Sequence, residues 1–324
     1  MLITPHAERV RTVEDLIGPS LAARLDRLDL LSRRVFAGRL PGERRSKRRG
    51  RSVEFDDYRD YTPGDDLRHL DWNVYARLDK FLIKLFREEE DLGLHLVIDA
   101  SASMEAGATE SSPSKLLFAH RLAMGLGYLG LVNQNRVSVA VFGAPGGARL
   151  RRLAPMRGRR NVQRLAAFLV ESVSERPAGG TAEPDFAGAM REFALSRKGK
   201  GVVVLVSDFL FRDGLGDGLN YLVGGHDVDA YAIHVLSPGE LEPERDAERG
   251  LVGDLRLTDA ESGSTAEVTL SGALIRAYKR RLEDHVAAVR AACRARSAAH
   301  ELVRSDADPG ELLLGSLRRR GLLG

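Results

Sequence analysis

Residues 94–104 read LHLVIDASASM, and this stretch decides how the rest of the chain is interpreted. Leu94–Ile98 is apolar or strand-compatible throughout, which is typical of a central parallel strand because such a strand is covered on both faces. Three small oxygen-bearing side chains follow at alternate positions, namely Asp99, Ser101 and Ser103. Open α/β sheets bind ligands at the carboxyl ends of their strands. The stretch therefore predicts a buried strand that ends in hard oxygen ligands, which suit Mg²⁺, Mn²⁺ or Ca²⁺.

The composition limits the class of protein. The chain has 324 residues, of which 43% are hydrophobic, so it can bury a substantial core. A formal net charge of +3 does not by itself indicate a nucleic-acid-binding protein. Cys293 is the single cysteine, which excludes an internal disulfide and a cysteine-based metal site. The N-terminal residues carry charges throughout and no apolar run is long enough to cross a bilayer, so we expect a cytoplasmic protein without a membrane span.

Strand and helix patterns alternate from residue 94 onward. The predicted strands are 94–99, 136–142, 148–153, 201–207 and 228–236, and the predicted helices are 113–132, 160–174, 184–196 and 214–224. This alternation favours an α/β fold with a doubly wound, mostly parallel, Rossmann-like sheet. The short step through Ala144–Gly147 predicts one antiparallel edge strand. A late β-hairpin insertion is predicted at 253–270, followed by a helix at 271–297, a strand near 301–304 and a terminal helix at 309–320.

We divide the chain into residues 1–92, an extension packed on the core, and residues 93–324, the α/β domain. Residues 12–32 carry apolar positions at helical spacing, and Pro19 marks a helix start. Residues 33–51 are strongly basic. Such a run either binds phosphates or forms a solvated loop, and we expect no nucleic-acid partner from charge patterning alone.

Residues 53–91 are rich in Asp, Arg, Tyr and Trp. Thr62–Asp65 predicts a turn and Phe81–Phe86 predicts a strand. Two interpretations remain open for this segment. It is either a network of salt bridges that docks the segment onto the next domain or a surface that recognises a partner protein. The residues that would form the partner surface are Asp65, Asp66, Arg68, Asp71 and Trp72.

Two further predicted loops also carry oxygen-bearing side chains. Gly179-Gly180-Thr181 precedes a predicted helix, where a hydroxyl and free N–H groups are presented. Asp208 follows the most apolar predicted strand. If strands 94–99 and 201–207 are neighbours, three loops deliver two carboxylates and three hydroxyls to one rim. The predicted metal ligands are Asp99, Ser101, Ser103, Thr181 and Asp208, and the predicted cation is Mg²⁺, with Mn²⁺ or Ca²⁺ as alternatives.

This ordered set of motifs resembles the von Willebrand factor A (vWA) domain and its metal-ion-dependent adhesion site (MIDAS). The resemblance implies that Asp99, Ser101, Ser103, Thr181 and Asp208 surround a divalent cation, some of them through water. Many A domains have glycine after the last of these residues, whereas this chain has Phe209.

The upstream segment EFDDYRDYTPGDDLRHLDWNVYAR, residues 54–77, resembles the signature of the bacterial family DUF58, domain of unknown function 58. The combined resemblance covers about Val53 to Asp308. It implies a vWA-like domain behind the signature segment and a role beside MoxR-type AAA+ ATPases.

Other motifs are excluded by their context. Gly125-x-Gly127-x-x-Gly130 matches the dinucleotide fingerprint but lies inside a predicted helix, so close helix packing explains it better. The sequence has no P-loop, no GxSxG nucleophile elbow and no HExxH zinc motif.

Three functions follow as hypotheses. The first is a non-enzymatic protein-interaction module, in which a partner carboxylate completes the coordination of the cation, with no small-molecule substrate. The second is a degenerate vWA domain with a structural role and no metal. The third is a Mg²⁺-dependent phosphoryl-transfer enzyme with Asp99 as nucleophile. Enzymes of that type usually carry a second Asp two residues later, where this chain has Ser101, which disfavours the third.

Overall fold

The computed structural model describes two compact units. Its described residues are 13–26, 28, 54–63, 65, 67, 70–87, 92–109, 112–144, 148–174, 184–197, 199–224, 228–244, 254–258, 264–269 and 271–323. The described residues between 54 and 87 form the smaller unit, and all others belong to the larger one. The predicted extension 1–92 is therefore shared between the two units.

The strands, in chain order, are β1 (Glu54–Asp60), β2 (Leu82–Arg87), β3 (Gly93–Asp99), β4 (Arg136–Phe142), β5 (Leu150–Met156), β6 (Gly201–Ser207), β7 (Val228–Leu236), β8 (Asp254–Thr258), β9 (Thr265–Thr269) and β10 (Ala299–Arg304). The α-helices are α1 (Val13–Leu16), α2 (Pro19–Leu25), α3 (Trp72–Leu78), α4 (Lys115–Val132), α5 (Val162–Ser174), α6 (Phe186–Ser196), α7 (Leu215–Val223), α8 (Pro238–Leu241), α9 (Gly272–Arg294) and α10 (Pro309–Glu311). Short 3₁₀ turns cover Ala102–Glu105 and Arg159–Asn161, and a π-helical turn, Leu312–Leu317, follows α10.

The larger unit is built on a six-stranded sheet in the order β10-β7-β6-β3-β4-β5. All neighbouring strands are parallel except β4 and β5, which pair antiparallel at one edge. The predicted α/β fold with a mostly parallel sheet and one antiparallel edge strand is therefore confirmed. The edge strand runs over Leu150–Met156 rather than 148–153, because an irregularity in its pairing with β4 lets it continue to Met156.

Alternate residues of the central strands pack into two separate cores. On β3, Leu96 and Ile98 belong to one hydrophobic cluster and Val97 belongs to the other. β6 divides in the same way, with Val204 in the first cluster and Leu205 in the second. Side chains of a strand point alternately to opposite faces, so a strand covered on both sides must be apolar throughout. This requirement explains the continuous apolar run that identified β3.

Helices cover both faces of this sheet. The apolar residues of α4 and α5 contribute to the first cluster, and those of α6 and α7 contribute to the second. Gly130 of α4 lies against the sheet, where an added Cβ would come within 2.7 Å of Val137 Cγ2. The Gly125-x-Gly127-x-x-Gly130 motif is thus inside a helix and serves close packing. None of the helices among the described residues is both long enough and apolar enough to cross a membrane.

Two further sheets each consist of two antiparallel strands. The pair β8–β9 forms the late antiparallel hairpin that the sequence predicts. In the smaller unit, β1 pairs antiparallel with β2, and α3 lies between them in the chain. The sequence pattern does not predict β1 or α3, because β1 has five charged residues among its seven and none of the seven residues of α3 is buried.

Candidate metal centre

Asp99 and Asp208 lie at the carboxyl ends of two adjacent strands. β3 and β6 are parallel neighbours, with Ile98 paired to Val206. The residues that follow the two strands therefore lie at the same end of the sheet, where the parallel strands terminate. Neither carboxylate is exposed to solvent. The structure thus brings together two of the predicted ligands, and the neighbouring strands that the sequence analysis required are present.

Hydrogen bonds hold the Asp99 carboxylate in place. Ser207 Oγ donates to Asp99 Oδ2 at 2.6 Å, and the backbone N–H of Ser101 donates to Asp99 Oδ1 at 2.9 Å. Burial and the negative charge of Asp208 raise the pKa of Asp99 to about 7, against the opposing effect of these hydrogen bonds. A divalent cation beside Asp99 would favour its ionised carboxylate, because the groups that hydrogen-bond this carboxylate carry no positive charge.

Ser101 and Ser103 form a pair of hydroxyl groups beside Asp99. Their Oγ atoms lie 3.1 Å apart. This distance is that of a hydrogen bond between the two hydroxyls, so both oxygens face the same small volume. Among the described residues, no group of three or more His, Cys, Asp or Glu side chains is arranged to hold a metal ion. A cation here therefore depends on serine hydroxyls as well as carboxylates, and this oxygen-only donor set fits Mg²⁺.

Lys115 is the main residue of this site that the sequence analysis missed. It is fully buried, and its Nζ lies 2.8 Å from Asp208 Oδ2 and 2.6 Å from Glu240 Oε1. Burial alone would lower the pKa of Lys115, but the charges of Asp208 and Glu240 outweigh burial and raise it. The signal in the sequence was a lysine in the first turn of a mostly apolar helix, where the helix dipole disfavours a cation.

The second carboxylate bound by Lys115 is itself fixed by a helix cap. The side chain of Glu240 accepts hydrogen bonds from the backbone N–H of Ser237 at 2.6 Å and from its hydroxyl at 2.8 Å. Ser237 Oγ accepts from the Glu240 N–H in return, which completes a capping box at the start of α8. Gly107, at φ +87°, makes room for this turn, since a Cβ there would lie 2.3 Å from Ser237 Cβ. The network thus links Asp208 to a rigid turn.

The loop after β6 has an unusual backbone. Phe209 is buried and adopts φ +56°, a left-handed conformation that is uncommon for an aromatic residue. Its N–H donates to Ser207 Oγ at 2.8 Å, and the N–H of Leu210 donates to Asp208 Oδ1 at 3.2 Å. These bonds stabilise the left-handed conformation of the loop at Phe209. They also explain how Phe209 is accommodated at this position.

The remaining predicted site residues fall into two groups. Thr181, Asp66 and Arg68 lie outside the described residues. Asp65 accepts from Arg59 Nη2 at 2.9 Å, and this bond lowers the pKa of Asp65 to about 2.

Asp71 and Trp72 differ from each other in exposure. Asp71 is buried, caps α3 through the N–H groups of Asn73 and Val74, and accepts from Tyr58 Oη at 2.8 Å. Trp72 is 59% exposed. Asp65 and Asp71 therefore have structural roles within the smaller unit, and Trp72 is available at its surface.

Comparison with solved structures finds matches of low sequence identity and low TM-score. The crystal structure of the conserved hypothetical protein BatB from Bacteroides thetaiotaomicron is 11% identical, with a TM-score of 0.39, and the match covers 71% of this chain and 98% of that one. The pilus adhesin SpaC from Lactobacillus rhamnosus GG is 12% identical, with a TM-score of 0.41, over 73% of this chain and 31% of SpaC. At these TM-scores neither similarity supports an inference about function.

Comparison of sequences identifies full-length relatives. Uncharacterized protein Rv1480 of Mycobacterium tuberculosis and uncharacterized protein Mb1516 of Mycobacterium bovis are each 31% identical over 311 residues, which is 95% of this chain and 93% of each relative. The family described as protein of unknown function DUF58 matches residues 57–288. This match includes the described part of the smaller unit from Asp57 onward and most of the larger one. The chain therefore belongs to the DUF58 family.

Proposed function

We propose that this chain is a non-enzymatic protein-interaction module with a vWA-like, MIDAS-type cation site. Asp99, Ser101, Ser103 and Asp208 would hold Mg²⁺ directly or through water, and Thr181 would complete the set. A carboxylate of a partner protein would occupy the open coordination position. The resemblance of the signature segment to DUF58 proteins supports a MoxR-type AAA+ ATPase as partner, and the shared role would be chaperone-like assembly or remodelling in the cytoplasm.

The observation that carries this proposal is the state of the Asp99 carboxylate. It is fully buried, and within the described part of the chain it is held by hydrogen bonds from Ser101 and Ser207 rather than by a cationic side chain. A buried carboxylate without a positive partner is costly to keep ionised. The hydroxyls of Ser101 and Ser103, which are hydrogen-bonded to each other at 3.1 Å, follow it in the same loop. A divalent cation would satisfy both features together.

A second candidate function is favoured by Lys115. Its ammonium group already provides Asp208 with a positive charge at 2.8 Å. This ion pair supports a purely structural vWA-like domain, in which a lysine replaces part of the charge of the metal. The two candidates differ in what they require of Mg²⁺. The structural domain folds and binds its partners equally well without the cation.

A capture experiment tests the proposed function. The tagged chain is mixed with a MoxR-type AAA+ ATPase from the same organism in Mg²⁺ and in excess chelator. Capture should require Mg²⁺ and should be lost in Asp99→Ala, while Asp284→Ala, which removes an exposed carboxylate of α9, should retain it. Capture that persists in chelator would contradict the cation bridge. Absence of capture by the wild-type chain would contradict the choice of partner.

A further inference from the structure

Lys115 is shared between two carboxylates, one of which belongs to the candidate metal centre. Its Nζ lies 2.8 Å from Asp208 Oδ2 and 2.6 Å from Glu240 Oε1. The side chains of Lys115, Asp208 and Glu240 are 0%, 1% and 15% exposed, respectively. Solvent and salt screen buried charges much less than surface charges. The positive charge of Lys115 therefore acts with little screening on any cation that Asp208 holds.

The two carboxylate oxygens of Asp208 have different partners. Oδ1 accepts a hydrogen bond from the backbone N–H of Leu210 at 3.2 Å, and Oδ2 accepts one from Lys115. The ammonium group thus occupies the same carboxylate that would bind a cation directly or through water. A positive charge at this distance makes the electrostatic potential at the site less negative, which disfavours a second cation. Lys115 and a divalent cation therefore oppose each other at Asp208.

Glu240 acts on the site in the opposite direction. Its Oε2 is fixed by the backbone N–H and the hydroxyl of Ser237, which leaves Oε1 directed at Lys115. The Glu240 carboxylate adds a negative charge near the site and gives the ammonium group a second partner. Without that charge, Lys115 would pair with Asp208 alone, and Asp208 would offer less negative charge to a cation.

The loop between the candidate ligand Ser103 and Lys115 is held against the α8 turn. The backbone N–H of Lys115 donates to Ala106 O at 3.2 Å. The next residue, Gly107, packs so closely on Ser237 that an added Cβ would lie 2.3 Å from Ser237 Cβ. The metal centre, Lys115 and the α8 turn thus share one packed frame, in which a change of charge in the turn changes the potential at the ligands.

We infer that Lys115 and Glu240 set the cation affinity of the candidate metal centre in opposite directions, with Lys115 as a positioning residue that acts through Asp208. Lys115 weakens binding of the cation, and Glu240 strengthens it. The inference rests on the proposed function, because it requires a cation at this site. Separation of Glu240 from Lys115 by movement of α8 would lower the cation affinity, so the α8 turn is a point from which the site is regulated.

Calorimetric titration of Mn²⁺ into the chelator-stripped chain tests this inference. Lys115→Met should bind Mn²⁺ about tenfold or more tightly than the wild-type chain, and Glu240→Gln, which keeps a side chain suited to the capping box, should bind it about tenfold more weakly. A merely structural role of Lys115 predicts the reverse, because a destabilised site binds more weakly. The matched controls are Lys279→Met and Glu244→Gln, the two members of an ion pair at the surface, and both should leave the affinity unchanged.

A double variant separates the two contributions. Glu240→Gln should weaken Mn²⁺ binding less in Lys115→Met than in the wild-type chain, because part of its effect passes through the ammonium group. Circular dichroism verifies that each variant is folded. Where Lys115→Met does not fold, the affinity of Glu240→Gln decides the inference by itself.

The possible outcomes distinguish this inference from the proposed function. Mn²⁺ binding by the wild-type chain with unchanged affinity in Glu240→Gln, or with equal or weaker binding in folded Lys115→Met, would overturn the inference and leave the cation site in place. Binding by Lys115→Met without binding by the wild-type chain would support the inference and contradict the proposed function. Absence of binding in every chain would contradict both.

Discussion

Lys115 Nζ lies 2.8 Å from Asp208 Oδ2, and neither side chain is exposed to solvent. The ammonium group joins a carboxylate at the end of β6 to Glu240 in the first turn of α8. A buried charge is tolerated only when it is paired and hydrogen-bonded. Lys115 is therefore both a structural link and the internal cation of the candidate metal centre.

Replacing this lysine should destabilise the larger unit strongly. Lys115→Met leaves the buried Asp208 and the partly buried Glu240 without their cation, so we expect a loss of about 3–5 kcal/mol in the free energy of unfolding. Lys279→Met is the matched control, because Lys279 pairs with Glu244 at the surface and should cost less than about 1 kcal/mol. Urea denaturation followed by circular dichroism measures both values. Equal stability of the two variants would contradict the role of Lys115.

Buried His120 should make stability depend on pH. Burial lowers the pKa of His120 to about 4, although its hydrogen bond to Leu116 O opposes the shift. Below pH about 6.5 the unfolded chain takes up a proton that the folded chain does not, so the free energy of unfolding decreases as pH falls to about 4. This residue alone accounts for about 3 kcal/mol across that range.

The measurement is urea denaturation at several pH values for the wild-type chain and His120→Gln. Between pH 6.5 and 4, the free energy of unfolding of His120→Gln should depend on pH less steeply than that of the wild-type chain. The difference between the two slopes should be about 1.4 kcal/mol per pH unit. Because other buried histidines titrate too, the comparison rests on the difference between the two chains. Identical pH dependence would show that His120 is not the group responsible.

Gly130 should not tolerate a side chain, although alanine is normally favoured over glycine within a helix. Alanine raises helix propensity by about 1 kcal/mol, but a Cβ at Gly130 would come within 2.7 Å of Val137 Cγ2 and 3.0 Å of Leu94 Cδ2. We expect Gly130→Ala to lower the free energy of unfolding by about 1–3 kcal/mol. Gly216→Ala in α7 is the control, since only the flexible end of Arg296 is near. Stabilisation by Gly130→Ala would contradict the packing explanation.

Asp71 should stabilise the smaller unit through its cap on α3. Asp71→Ala removes the hydrogen bonds to Asn73 N–H, Val74 N–H and Tyr58 Oη, and we expect a cost of about 1–2 kcal/mol. Asp71→Asn keeps a capping oxygen and should cost less. Trp72 is the single tryptophan of the chain, so its fluorescence reports unfolding of this unit. Equal effects of the two substitutions would argue against the cap.

The sequence predicted those features that depend on local pattern. The continuous apolar runs of β3 and β6 required a strand covered on both faces, and the structure has both at the centre of the sheet. Asp99 and Asp208 were predicted to share a rim, and strand adjacency places them on it. These inferences succeeded because each depends on periodicity and on the direction of parallel strands.

Contacts between residues far apart in the chain could not be predicted from local pattern. Lys115 contacts Glu240, a residue 125 positions later, and nothing in the local pattern around either residue indicates the other. In the smaller unit, the acidic residues that suggested a partner surface include a buried helix cap, Asp71, since burial follows tertiary packing rather than residue type.

The most direct test of the central claim is a titration of Mn²⁺ into the chelator-stripped chain, followed by the electron paramagnetic resonance signal of the free ion. We predict one bound Mn²⁺ per chain, displaced by Mg²⁺, and loss of that site in Asp99→Asn while circular dichroism shows a folded protein. Failure of the folded wild-type chain to bind Mn²⁺, or unchanged binding in Asp99→Asn, would contradict it.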